Sequence, residues 1–143
     1  MRLRYWHLAA GTTALTFLLI LLGVFTAATG TGMSCGAQWP TCGGGPLGLF
    51  PPNLASVPEW VHRFVAMVVG FAILGTAAQA WRGDHSKRVR YAATLALFTL
   101  PFQVAFGQQT IVNYGALIQV VHQGTAQIIF GSLLATALWA RER

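Results

Sequence analysis

The sequence predicts an all-α membrane protein, a polytopic bundle of four transmembrane helices. Of its 143 residues, 55% are hydrophobic and only 8% are charged, and the mean hydropathy of +0.56 is far from that of an average soluble domain. Four apolar segments are each near the length of about 20 residues that a spanning helix needs. They cover about 8–28, 60–81, 91–108 and 115–139, and we expect residues 1–143 to form one domain.

The first segment follows Arg2 and Arg4, as the apolar part of a secretory signal peptide would. Its apolar run is too long for the central region of a signal, and residues 30–45 do not have the look of a routine cleavage site. We therefore expect this segment to remain as the first helix.

A long external loop, about residues 30–58, should follow the first helix. It holds five of the six prolines, seven of the 16 glycines and both cysteines, so regular structure is not expected there. Cys35 and Cys42 would face an oxidising compartment, which favours a disulfide between them. Their C-x6-C spacing matches neither the C-x-x-C of thioredoxin-like proteins nor a four-ligand zinc site. A structural staple and a redox-active pair both remain open.

The basic residues orient the chain in the membrane. Eight of the nine Lys and Arg residues fall on one side of the predicted topology, which should be the cytoplasm because positive charge marks the inner side. Both termini would then be cytoplasmic, with the Cys loop outside the plasma membrane of a prokaryote. The net charge of +6 is thus explained by the membrane topology, and we expect no nucleic-acid partner. These residues are Arg2, Arg4, Arg82, Lys87, Arg88, Arg90, Arg141 and Arg143.

Two histidines open the same short pattern near the outer ends of the second and fourth segments. The patterns are Val61-His62-x-x-x-Ala66 and Val121-His122-x-x-x-Ala126. An imidazole in hydrocarbon is costly unless it faces the bundle interior and has a ligand or partner. Matching depth on two helices that run the same way suggests one metal between them, and a haem iron suits an apolar bundle best. A hydrogen-bonded core role is the alternative.

The histidines also belong to a weak internal repeat. Each half of the chain is a helix, an external connection and a second helix with His near its outer end, which predicts a pseudo-symmetric unit. His62, Ala66 and Gly70 share one helix face, as do His122, Ala126 and Ile129. Such faces leave room for a macrocycle, although small residues also allow close helix packing.

Several ordered runs resemble one known family, the haem A synthases, which are membrane enzymes that convert haem O to haem A. The resemblance covers nearly the whole chain. It lies in Gly30-Thr31-Gly32-Met33-Ser34-Cys35, Trp39-Pro40-Thr41-Cys42, Glu59-Trp60-Val61-His62-Arg63, and in Gln103, Gly107, Thr110, Val112 and His122.

The resemblance implies oxidation of a methyl group of haem O to a formyl group, making haem A for terminal oxidases. Haem B, haem O or both would be the bound cofactor or substrate, with His62 and His122 as axial ligands and Glu59 as the catalytic carboxylate. Haem O synthase and a terminal oxidase are the implied partners, and the electron acceptor is unidentified.

Two departures from the family pattern stand out. The family commonly has two tandem four-helix halves, and this chain resembles the N-terminal one, so a homo-oligomer, either a dimer or a trimer, is expected. The family also often has a basic residue just before the Gly-x-Gly, where Ala27, Ala28 and Thr29 stand here. Arg63 is then the external cation left for a haem propionate, unless it is only an interfacial anchor.

Glu59 has two interpretations that the sequence does not separate. Ser56-Val57-Pro58-Glu59 is typical of a helix start, with Ser56 as N-cap and Glu59 closing a capping box. Glu59 and His62 also share a helix face at i and i+3, which would let the carboxylate accept a proton beside a bound haem.

Two other functions use parts of the same residue set. A bis-histidine cytochrome b that carries electrons or delivers haem would need His62 and His122 but not Glu59. A membrane thiol–disulfide oxidoreductase working with a quinone would need Cys35 and Cys42 but no haem.

Overall fold

The computed structural model describes residues 4–142, which form four long helices and no strand. They are α1 (Tyr5–Ala28), α2 (Val57–Arg82), α3 (Lys87–Val112) and α4 (Ala116–Arg141). At 24 to 26 residues each, they reach about 36 to 39 Å and can cross a hydrocarbon core of about 30 Å. All four have the length and composition of membrane spans. The predicted all-α multi-pass membrane fold is confirmed.

The helices pack in a ring, each against the next, and α4 closes the ring against α1. As a result, α2 and α4 lie diagonally across the bundle. Both ends of the described chain lie at the same end of the bundle as the α2–α3 connection. There the Arg141 guanidinium lies 5.8 Å from the Trp6 ring centroid. The Tyr5 hydroxyl donates to the Thr76 carbonyl at this end as well, at 3.1 Å.

The face that α1 turns to the bundle interior is built from small residues, and its large apolar side chains point outwards. In α1 the buried positions are Ala9 and four threonines, whereas Phe17, Leu18 and Phe25 are 47%, 58% and 52% exposed. Such a helix suits lipid, because close backbone approach replaces hydrophobic burial as the packing force. Thr12 and Thr76 share a hydroxyl hydrogen bond of 3.0 Å between α1 and α2.

The helices extend beyond the apolar segments expected from the sequence. α2 begins at Val57 rather than near residue 60, because Pro58 is accepted in the first turn of a helix. α3 runs over 87–112 rather than 91–108 and passes through Pro101. Its added first turn is basic, and the guanidinium of Arg90 lies 5.6 Å from the Trp81 ring centroid, as expected at a membrane interface. Arg2 and Arg143 lie outside the described residues.

The loop between α1 and α2 is irregular, as predicted. It holds three short 3₁₀ turns, Thr31–Met33, Pro46–Gly48 and Leu54–Ser56, and a single bridge between Gly44 and Phe50. Cys35 and Cys42 form a disulfide with their Cα atoms 4.6 Å apart. The loop folds back over the start of α2, where the Trp60 indole donates to the Leu49 carbonyl at 2.7 Å.

Candidate functional site

His62 and His122 occupy matching depths on the two diagonal helices. His62 is five residues past Val57 and His122 six past Ala116, which corresponds to about 7.5 and 9 Å along the axes. In each ring Nδ1 is buried and has no hydrogen-bond partner among the described residues. Two half-buried histidines in an apolar bundle thus each have a buried Nδ1 atom without a partner.

His122 has one polar neighbour, the side chain of Gln103 on α3. The Gln103 Nε2 lies 3.4 Å from His122 Nε2, and the Thr125 hydroxyl donates to Gln103 Oε1. That bond turns the amide so that its NH₂ group faces the imidazole. The sequence singled out Gln103 only by family resemblance and gave no role to Thr125.

The helix faces below the histidines are only partly open. Ile129 is 3% exposed and packs with Val69, Ile73 and Leu133 in the bundle core. The α4 face below His122 is therefore filled at Ile129, which belongs to the same core cluster as Val69 and Ile73 of the diagonal helix. Ala66 on α2 remains half-buried.

Glu59 is turned towards the external loop rather than towards its own helix end. One carboxylate oxygen accepts from the Cys35 N–H at 2.7 Å and from the Ser34 hydroxyl at 3.2 Å, and the other pairs with Arg63. The side chain is 3% exposed. Glu59 is thus a buried carboxylate with three donors from two separate segments.

The capping interpretation of Glu59 is wrong. Ser56 stands at the N-cap position but makes no side-chain cap. Its hydroxyl instead donates to the Ser34 carbonyl and contacts Asn53 Oδ1, both at 3.0 Å. The folded-back loop supplies these partners, and they replace the reciprocal bonds of a capping box.

The Arg63 side chain connects the disulfide loop to α2 by hydrogen bonds. Its Nη1 donates to the carbonyls of Gln38, at 2.6 Å, and Thr41, both inside the segment closed by Cys35 and Cys42, and its Nη2 reaches Glu59. The side chain is only 12% exposed, unlike a free interfacial anchor. Arginine has five N–H donors, so donors remain for a further acceptor.

The donor set fits a haem iron better than a bare metal ion. Among residues 4–142, no group of three or more His, Cys, Asp or Glu side chains is arranged to hold a metal ion. Two imidazoles suffice for haem, because the macrocycle supplies the other iron ligands. The unpartnered Nδ1 atoms mark His62 and His122 as the residues with coordination or hydrogen-bonding capacity to spare.

Comparison with known proteins identifies related membrane proteins. Residues 53–143 match the COX15-CtaA family, described as cytochrome oxidase assembly proteins. A heme A synthase from Bacillus licheniformis is 34% identical over 130 residues, covering 88% of this chain and 42% of the relative. One from Shouchella clausii is 34% identical over 125 residues, covering 85% and 41%.

A third relative has a different name. A protoheme IX farnesyltransferase from Halobacterium salinarum is 39% identical over 122 residues, covering 85% of this chain and 27% of the relative. The chain therefore spans less than half the length of these curated relatives. No solved structure matches.

Proposed function

The chain belongs to the COX15-CtaA family of cytochrome oxidase assembly proteins, and on that premise we propose that it oxidises a methyl group of haem O to a formyl group, making haem A. The observation that carries this proposal is the pair of histidines on the diagonal helices whose buried Nδ1 atoms have no hydrogen-bond partner among the described residues. A buried carboxylate one turn from His62 supports it. Relatives named heme A synthase support the same reaction.

His62 and His122 are the proposed axial ligands. The imidazoles on α2 and α4 would hold the haem iron, and the apolar helices would exclude water. When bound, haem supplies the methyl group to be oxidised and an iron whose redox state can change. Oxidation of a methyl group to a formyl group, with water as the source of oxygen, releases four electrons and four protons. It therefore requires an external electron acceptor, and we propose the haem of a neighbouring subunit as a one-electron relay to that acceptor.

Glu59 is the proposed proton acceptor. It shares a helix face with His62 at i and i+3, and it is the one acidic residue at this end of the bundle, since Asp84 and Glu142 lie at the other. Ser34, Cys35 and Arg63 hold its two oxygens. Arg63 keeps donors for a propionate, and we assign it that second role.

Conversion of the bound haem tests this function. The protein is produced in cells that make haem O but have no other haem A synthase, and the extracted haems are separated by chromatography. We expect haem A to appear only in cells that carry the chain. Purified protein that binds haem without converting haem O would overturn the proposal and favour a bis-histidine cytochrome b.

The disulfide is proposed to be a staple, since Cys35 and Cys42 are only 5% and 2% exposed. An incoming thiolate needs access to a sulfur atom, so this burial disfavours the oxidoreductase alternative.

Replacing both cysteines with Ser should lower the free energy of unfolding by ~2 to 3 kcal/mol, the effect of opening a short loop. Haem A formed per folded molecule should stay near the wild-type level, because Arg63 still binds the Gln38 and Thr41 carbonyls. Chemical denaturation and haem extraction measure the two quantities. Full stability with no haem A would instead assign the pair a redox role.

We place the Cys loop outside the plasma membrane of a prokaryote and the termini in the cytoplasm, supported by the basic residues at the terminal end of the bundle. Haem O synthase is a proposed partner. Its support is the relative named protoheme IX farnesyltransferase, of which 27% aligns with this chain. A terminal oxidase is the proposed recipient of the product.

We also propose self-association into a dimer or a trimer. Its support is that the chain covers only 42% of the Bacillus licheniformis relative, which leaves room there for a second unit of this size. Native mass spectrometry of active protein should show a single oligomer in which each subunit carries haem. An active, monodisperse monomer would refute self-association.

A further inference from the structure

Each candidate ligand packs against a glycine of the preceding helix, and the two contacts are nearly the same. A Cβ atom built on Gly23 of α1 would lie 2.9, 3.6 and 3.7 Å from Cε1, Nδ1 and Nε2 of His62. One built on Gly107 of α3 would lie 3.1, 3.7 and 3.8 Å from the same atoms of His122. The corresponding distances differ by no more than 0.2 Å.

The positions of these glycines are also equivalent. Gly23 is five residues before the end of α1 at Ala28, and Gly107 is five before the end of α3 at Val112. The pairs α1–α2 and α3–α4 therefore repeat one arrangement, with glycine on the first helix and histidine on the second. This contact extends the internal repeat from the histidines to the helices that precede them.

Helix packing alone does not account for these contacts. At both positions the three atoms nearest to the added Cβ are imidazole atoms rather than backbone atoms of a neighbouring helix. An added Cβ would meet nothing within 4 Å at Gly11, Gly75, Gly124 or Gly131. Among the glycines of the four described helices, contacts this close therefore occur only at the two that face His62 and His122.

We propose that Gly23 and Gly107 are positioning residues for His62 and His122. Without a Cβ, the helix backbone lets the Cε1 corner of the ring rest directly on it. Contact with the helix backbone prevents the ring from rotating towards that helix. The orientation of the two ring nitrogens is therefore restricted. Residues that orient a histidine ligand in this way affect metal affinity and electronic structure. This inference rests on the proposed haem site and adds two residues to it.

Alanine substitution tests the two positions. Gly23→Ala and Gly107→Ala should each weaken haem binding on the order of 10- to 100-fold, the usual effect of disturbing a ligand's support. The low-spin electron paramagnetic resonance g-values should also shift, because they depend on imidazole orientation. Gly11→Ala on α1 and Gly124→Ala on α4 are matched controls in open space, and both should keep wild-type affinity and spectra.

The haem-free protein provides an independent measurement. With histidines labelled at ¹³Cε1, nuclear Overhauser contacts should connect the His62 ring to the Gly23 α-protons and the His122 ring to those of Gly107. The ring resonances should move in the two alanine variants and stay in the controls. This measurement does not require the variants to bind haem.

The outcomes separate this inference from the proposed function. Wild-type protein that binds haem, with Gly23→Ala and Gly107→Ala matching it in affinity and g-values, would overturn the positioning role and leave the function standing. Absence of the two proton contacts from the haem-free protein would also overturn it. Wild-type protein that binds no haem would overturn the proposed function and the positioning of iron ligands together.

Discussion

Glu59→Gln is expected to abolish haem A formation while haem O remains bound. The change keeps the side chain's shape but removes the only acidic group that residues 4–142 place at the histidine end of the bundle. Loss of a positioned proton acceptor typically costs about 10²- to 10⁴-fold in rate. Haem binding should persist because the proposed ligands are His62 and His122. Chromatography of haems from cells supplied with haem O measures the product, and the visible spectrum measures binding.

Ser34→Ala is the matched control for this experiment. It removes the longer of the two hydrogen bonds to Glu59 from the loop, at 3.2 Å, but leaves the charge, the Cys35 N–H and Arg63 in place. Haem A formation should stay within a few-fold of wild type. If Glu59→Gln makes haem A at the wild-type level, Glu59 serves only to hold the external loop against α2.

The fold was predictable because its determinants are local in sequence. The length of each apolar run and the positions of basic residues specify the number and direction of the helices without long-range contacts. The ends of the helices were harder to predict from the sequence. α3 extends at both ends past its apolar centre, and its basic first turn is accommodated by neighbouring aromatic rings, as for Arg90 over Trp81. Sequence hydropathy alone does not report such contacts.

The site was predictable only where a residue is unusual in its own surroundings. A histidine in an apolar helix is conspicuous, and the repeated pattern singled out His62 and His122, whose buried Nδ1 atoms have no hydrogen-bond partner among the described residues. Gly23 is one of 16 glycines, and the residue that it contacts, His62, is 39 positions away in the sequence. The partners of Glu59 come from an irregular loop, where Cys35 is 24 residues distant. No periodicity links such residues, so the helix-start pattern could not reveal that Glu59 binds the loop.

His62→Ala and His122→Ala are each expected to remove the low-spin, six-coordinate haem spectrum. Each change deletes one of the two imidazoles whose Nδ1 atoms lack partners, so the iron should become five-coordinate or haem should be lost. Alanine is the best helix former, so α2 and α4 should persist. Absorption spectra of the oxidised and reduced purified protein measure the ligation state.

Added imidazole distinguishes loss of a ligand from loss of the fold. Free imidazole can enter the space left by a deleted histidine ring, so it should restore the low-spin spectrum in both variants. His7→Ala and His85→Ala change histidines at the terminal end of the bundle and should leave the spectrum unchanged. An unaltered low-spin spectrum in both His62→Ala and His122→Ala would refute the ligand assignment, because an iron held by this pair cannot keep six ligands after either is removed.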